Sequence, residues 1–460
     1  MSETEVEAYA SATSVEQGAT IAFHVRVKIK STCKMIVKRP STGEQVFEHE
    51  FIVDIFPRNS QDSDGANHGC FWPEAYVLAV PESWQSDIYV AEISVNASKS
   101  IVPVVVKSKT PASSILLKIT DTTAQAYNNW GGQSLYNRDP IARSIQISFD
   151  RPYVLVGYKY DYWYFDLMFM EWCQRRNIKV DVCSSVDIHS GAVDLNDYAL
   201  MVSIGHDEYW SKETRDNVEQ FVNDGGHVCF FGANTCFWQV RFDRNGRQII
   251  GYKELAAKDP MVLTDPSRVT GQWGAAPIKR PENEMTLGSY LTGGGWWDVI
   301  SDADQERRYG KAYCVSQPDH WVFDRTGLRL NDTFGTIINE LGKRDTIMGH
   351  ETDSTKFVMS DAGVPIVTGD DGTPKDAVIL AYCDLTDWPG TTKNGQSGKA
   401  TMVIRELENG GVVFSAGTVN WGGAMTHHGS TIVDKITENL IHRLKTRSHN
   451  VQPSESVRKG

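Results

Sequence analysis

No uncharged apolar run of about 18 residues occurs in this 460-residue chain, so no membrane-spanning helix is expected. The opening Met1-Ser2-Glu3-Thr4-Glu5-Val6-Glu7 is acidic and polar and lacks the basic and apolar stretches of a secretory signal. No CxxC pair is present. The eight cysteines are scattered at 33, 70, 173, 183, 229, 236, 314 and 383, several inside apolar runs. That usage suits small buried thiols in a reducing, cytoplasmic compartment better than a disulfide framework. A G-x-S-x-G elbow, a P-loop and a dinucleotide fingerprint are all missing, which removes the usual signals of a serine hydrolase and of nucleotide binding. Basic runs are short, and 46 Lys and Arg against 58 Asp and Glu leave a formal charge of -12. Such a field disfavours nucleic acid and anionic membrane surfaces as partners. The longest basic stretch, His442 to Arg447, reads as the solvated last turn of a helix.

What the chain does have is length enough for two or three domains, and apolar mass, 40% hydrophobic residues and thirteen tryptophans, ample for sizeable cores. Residues 1–110 read as all-β. Thr20 to Ile29, Lys34 to Lys38 and Ile88 to Val95 alternate with period two, which suggests a β-sandwich of immunoglobulin type. The stretch Ser108 to Ser114 reads as a linker. From 115 the pattern changes to strands alternating with helices: Ile115 to Ile119, a helix over 164–176, Lys179 to Val182, Ala199 to Ile204 and His227 to Phe231. Residues 111–450 are therefore expected to form an α/β domain on a parallel sheet. An irregular Gly-, Asp- and Trp-rich insertion over about 240–345, a closing helix from Ser430 to Arg447 and a polar tail over 451–460 complete the reading. Asn129-Trp130-Gly131-Gly132 recurs as Asn420-Trp421-Gly422-Gly423, each on an expected loop after a strand.

The most loaded segment follows the apolar run Ala199 to Ile204, where Gly205 releases His206, Asp207, Glu208, Tyr209 and Trp210. Ligands of open α/β sheets bind beyond the carboxyl ends of strands. A helix then starts at Ser211 as N-cap, carries Val218, Phe221 and Val222 on one face, and stops at Gly225-Gly226. Other loops with polar and aromatic candidates are Ala126 to Gly132, Tyr158 to Phe165 and Gly232-Ala233-Asn234. In a parallel sheet the first, the His206 loop and the last emerge on one edge. Alternate residues of an extended segment share a side, so His206 and Glu208 can face one ligand, and a tyrosinate adds a hard oxygen suited to Fe(III), Mn or Zn. Backbone-bonded residues at a strand end explain the same spacing. A metal-free alternative pairs Glu208 with Asp207 or Glu351 for acid–base work.

Three blocks, Ala126-Tyr127-Asn128-Asn129-Trp130-Gly131-Gly132-Gln133-Ser134-Leu135-Tyr136, Gly205-His206-Asp207-Glu208-Tyr209-Trp210-Ser211 and Phe230-Phe231-Gly232-Ala233-Asn234, resemble the large subunit of the N,N-dimethylformamidase family. The resemblance runs over about 115–445. It implies a β-sandwich followed by a glutamine-amidotransferase-like, flavodoxin-like α/β domain, and a mononuclear ferric site of two tyrosinates and a glutamate. Carried over, Glu208 and Tyr127 are ligands, and Tyr164 is the second tyrosine with Tyr162 as its alternative. His206 supports the glutamate. Asn234 holds the amide, Lys253 lines the pocket and Glu351 activates water. The implied reaction is hydrolysis of a small amide, with Trp130 and other aromatics excluding bulk water. The additional N-terminal domain and separate small subunit of that family have no counterpart in this sequence, which leaves a small subunit or a homo-oligomer as the expected assembly. Gly205-His206 stand where true glutamine amidotransferases carry a cysteine nucleophile, so glutamine hydrolysis is not expected. Competing readings are a non-catalytic ligand- or carbohydrate-binding protein and a metal-free carboxylate glycoside hydrolase.

Overall fold

A computed structural model describes residues 5–54, 62–136, 143–154, 163–293, 311–338, 344–349, 351–387, 398–425 and 431–447. The fold is mixed α/β with several sheets. The chain divides into two compact units, and neither is one continuous run. The first comprises residues 1–193, 204–214 and 235–281, and the second 194–203, 215–234 and 282–460.

The first unit opens with two sheets around one apolar core. Val6–Ala10, Thr20–Val27 and Glu74–Ala79 form a three-stranded sheet. Ser14–Glu16, Ser98–Lys107, Asp87–Val95, Ser31–Arg39 and Glu44–Val53, in that spatial order, form a five-stranded one. The period-two residues Phe23, Val25, Met35, Val37, Tyr89, Ala91 and Ile93 meet in that core, as alternation dictates. One element departs from the all-β expectation, since Asp62–His68 is a helix. The expected linker is pinned rather than loose: Asp181 accepts from Ser108 Oγ (2.8 Å) and from the Ala112 N–H (2.8 Å).

Still in the first unit, Ile115–Lys118 pairs in parallel with Asp181–Cys183 and borders the strand Leu200–His206, whose last residues belong here. That strand does not stop at the glycine; it runs through Gly205 and His206. Tyr209–Ser211 forms a further short strand, parallel to Trp238–Val240. Only Asp207 and Glu208 are left between them. Gly205 has φ +77, and a Cβ there would lie 2.5 Å from the Phe165 ring, so only glycine fits. The helix Lys212–Asn223 starts as expected, with the Thr214 N–H donating to Ser211 Oγ (3.0 Å), and its stop bond runs from the Gly226 N–H to the Phe221 carbonyl (2.9 Å).

In the second unit His227–Ala233 pairs in parallel with Val412–Ser415. Beyond it, Lys399–Glu406, Val378–Asp384, Tyr313–Val315 and Thr333–Phe334 follow in antiparallel pairs. The expected parallel sheet is therefore a mixed one. The reason is local: five residues separate Glu406 from Val412, closed by the Leu407 N–H to Gly411 carbonyl bond (2.8 Å), and so short a connection permits only antiparallel pairing. The last helix, Thr431–Leu444, buries Ile436, Leu440 and Leu444, whereas Ile432 is half-buried. Both Asn-Trp-Gly-Gly repeats are short helical turns rather than open loops, each with its tryptophan buried. None of the eight cysteines is in a disulfide, and six are buried. Burial pushes the Cys33 thiol up to about 11 and the Cys383 thiol to about 12. No helix among the described residues is long and apolar enough to cross a membrane.

Candidate functional site

Helix Asp121–Tyr127 follows the strand Ile115–Lys118 directly and places Thr123 and Tyr127 one turn apart on one side. Both reach the same residue. Thr123 Oγ1 accepts the Glu208 N–H (2.9 Å), and the Tyr127 hydroxyl donates to Glu208 Oε2 (2.8 Å). From the other side the Phe237 and Trp238 N–H groups donate to the Glu208 carbonyl, each at 2.9 Å. The Glu208 backbone is thus held on both faces and its carboxylate is aimed at a phenol. His206, two residues earlier, shares that side as its spacing predicts: Nε2 lies 3.7 Å from Glu208 Oε2.

Asp207 goes the opposite way, and the alternation that unites His206 with Glu208 separates it from both. Its Oδ2 is 2.6 Å from Lys118 Nζ, and both side chains are fully buried. Lys118 also lies over the Trp210 ring, 4.5 Å from its centre. Of the two partners that the metal-free alternative names for Glu208, Asp207 and Glu351, Asp207 is thus paired with Lys118. Nearby, Asp166 accepts from Thr120 Oγ1 (3.0 Å), and burial holds its carboxyl well above the ordinary range.

Lys253 joins the same neighbourhood. It is buried, with Nζ donating to the Tyr209 hydroxyl (2.7 Å) and to the Leu135 carbonyl (3.2 Å). The rings of Trp238, Tyr209 and Tyr136 surround its ammonium at 4.8, 5.1 and 5.6 Å. Burial lowers that ammonium to about 8, although the Glu208 charge opposes the shift. Tyr136 in turn stacks on Tyr127, with ring centres 4.5 Å apart.

Trp130, expected to exclude water from the pocket, stands elsewhere. It packs with Tyr9, Ala66 and Trp72, and its indole N–H donates to Glu7 Oε1 (3.0 Å). The rings around the Lys253 ammonium are those of Tyr136, Tyr209 and Trp238 instead. Tyr164 is half-buried near the start of helix Trp163–Arg175, edge-on to Phe165, whose ring fills the space over Gly205. Burial raises its phenol. Tyr162 lies outside the described residues.

In the second unit, Asn234 at the end of strand His227–Ala233 has φ +51. Its backbone N–H donates to Asp353 Oδ1 (2.8 Å) and its side-chain amide to Glu351 Oε2 (2.8 Å). Backbone bonds hold both carboxylate residues: the Val419 N–H donates to the Glu351 carbonyl (3.1 Å) and the Thr401 N–H to that of Asp353 (3.0 Å). Residues expected from sequence thus gather in two groups. Tyr127, His206, Glu208 and Lys253 belong to the first unit, Asn234 and Glu351 to the second. The sequence reading missed Thr123, Lys118, Tyr136 and Asp353. Of these only Tyr136 carried a signal, its place at the end of the Ala-Tyr-Asn block.

Among the described residues no three His, Cys, Asp or Glu side chains converge as a metal-binding group. A metal at Glu208 would draw on phenol oxygens, and the donors present fit that. The buried Tyr127 hydroxyl and the Glu208 carboxylate, whose oxygens are 2.8 Å apart, are the hard oxygen donors that would hold it.

The family described as N,N-dimethylformamidase beta subunit-like, C-terminal, matches residues 51–433, and the chain belongs to it. The N,N-dimethylformamidase beta subunit of an Alcaligenes species is 21% identical over 449 residues, covering 81% of this chain and 54% of the relative. That of Paracoccus aminophilus is 20% identical over 447 residues, with the same coverage. The chain spans about half the length of these relatives.

Proposed function

We propose that this chain is an iron-dependent amidohydrolase that cleaves the C–N bond of a small formamide or related amide. The observation that carries the reading is the Tyr127–Glu208 pair, a buried phenol donating to a carboxylate at the end of a sheet strand in a member of this family. Tyr127, Glu208 and Tyr164 would hold Fe(III), and His206 would orient Glu208. When bound, such an ion supplies Lewis acidity toward an amide carbonyl or a water. The Lys253 ammonium, ringed by Tyr136, Tyr209 and Trp238, would present a positive charge in an apolar wall. Asn234 is assigned to orienting an amide and Glu351 to taking a proton from water; their mutual hydrogen bond supports a joint role.

The proposed architecture is an immunoglobulin-type sandwich over 1–110 and a glutamine-amidotransferase-like domain over 111–450. The relatives are named as beta subunits, and we extend that to this chain, with a small second subunit or further copies of itself as the assembly partner. The test is metal analysis and a visible spectrum of protein purified without added metal, followed by amine release from formamides. Near-stoichiometric iron with a phenolate-to-iron band, lost in Tyr127→Phe, is expected. A folded protein that takes up no iron on reconstitution and shows no band would sink the ferric reading.

A further inference from the structure

A polar cavity in the first unit is used by none of these roles. It has a volume of about 40 Å³ and is lined by Tyr9, Ala12, Asp121, Arg151, Tyr153 and Arg247, among others. One water needs roughly 10–15 Å³, so the space suits three or so non-hydrogen atoms. Its charges are unevenly matched. The Arg247 guanidinium meets Asp150 through Nε (2.9 Å) and Nη2 (2.7 Å). Arg151 is 1% exposed. Among the described residues its Nη groups donate to backbone carbonyls, those of Gln133 (2.9 Å), Asn128 (2.9 Å), Gln125 (3.0 Å) and Trp130 (3.4 Å). Among the described residues its Nε has no hydrogen-bond partner, and neither has Oδ2 of Asp121, which is 3% exposed.

A buried guanidinium without a carboxylate and with one donor left over is costly, and a small anion offsets that cost. Burial pushes the Asp121 carboxyl up to about 6, so its opposition to an incoming anion fades as the pH falls through that value. We propose that this cavity binds a small carboxylate of formate-to-acetate size, with Arg151 Nε as the charged donor. Arg151 ties together the carbonyls at the end of helix Asp121–Tyr127, so occupancy would also firm the segment that presents Tyr127.

The test is titration calorimetry of sodium formate, acetate and chloride into the metal-free full chain at constant ionic strength. Formate and acetate should saturate one site. Arg151→Lys, which keeps the charge but loses the fork, should weaken binding at least about tenfold. Ala12→Leu, which fills the cavity from a half-buried position and leaves the arginine in place, should do the same. Glu208→Gln should bind as the parent does, which separates this cavity from the candidate metal site and makes the result independent of amide hydrolysis. Absence of saturable carboxylate binding, the signature of a water-filled cavity, would overturn the proposal. So would binding by chloride alone, binding untouched by Ala12→Leu, or binding lost in Glu208→Gln.

Discussion

The Tyr127–Glu208 neighbourhood and the Asn234–Glu351 neighbourhood each grow from a strand end, yet they are held by different forces. Around Glu208 side chains share the work with backbone: the hydroxyls of Thr123 and Tyr127 act beside the Phe237 and Trp238 N–H groups, and the Lys118 ammonium lies under the adjacent Asp207. Around Glu351 the fixing groups are mostly backbone, with Val419, Thr401 and Gly417 bonded to the segment 351–353. Side-chain scaffolds can be dismantled one residue at a time. A backbone scaffold changes only if the chain path does. Gly417 shows the second case: at φ +69, a Cβ there would sit 2.2 Å from the Thr401 carbonyl oxygen.

Substitutions should break the first neighbourhood more readily than the second. The largest effect is expected from Lys118→Met, which strands Asp207 in the interior and should cost about 3–5 kcal/mol in denaturant unfolding; the double variant Lys118→Met/Asp207→Leu should recover much of it. Glu208→Gln keeps the shape but removes the charge that Tyr127 faces. If the proposed function holds, it should lower iron retention and amide turnover by about 10–100-fold, measured by metal content and amine release, with the fold intact by circular dichroism.

Lys253 predicts a pH dependence. Its ammonium, held near 8 against an ordinary 10.5, gains its proton later than in the unfolded chain as pH falls. Stability should therefore decline from pH 10 to 8, by roughly 3 kcal/mol at most, and level off below. Lys253→Met should flatten that slope; an unchanged slope in the variant would assign it to another group. In the second neighbourhood, Asn234→Ala removes one bond to a carboxylate and puts a Cβ-only residue at positive φ, for a loss of about 2 kcal/mol. Asn234→Gly, which relieves the φ but not the bond, should cost less. The smallest effect is that of Ser211→Ala, which removes an N-cap and should cost about 1 kcal/mol in the same unfolding measurement.

Several elements were legible because their information is local. The Ser211 cap and the Gly225-Gly226 stop bracket a helix whose apolar stripe repeats every three to four residues, and the structure places it there within a residue. His206 and Glu208 share a side because extended residues alternate, and the same rule sends Asp207 to Lys118. Trp130 was misread because a tryptophan beside a site motif says nothing about which face of the turn it takes. The antiparallel strands beyond Val412–Ser415 were missed because the reading extended a βαβ rhythm past the point where connections become short.

By itself the sequence determined the periodic elements, the strand-end placement of His206 and Glu208, and the blocks that carry the family resemblance. These follow from spacing along the chain, which backbone geometry converts directly into faces and ends. Only the tertiary structure decided that Tyr127 meets Glu208 at 2.8 Å, that Lys253 reaches Tyr209, that Asn234 binds Glu351, and that the buried Arg151 meets backbone carbonyls. Each of these joins residues between 44 and 117 positions apart, or sets a charge against carbonyls of another segment. No local pattern encodes such pairs, because the burial that makes them strong exists only once the chain has closed around them.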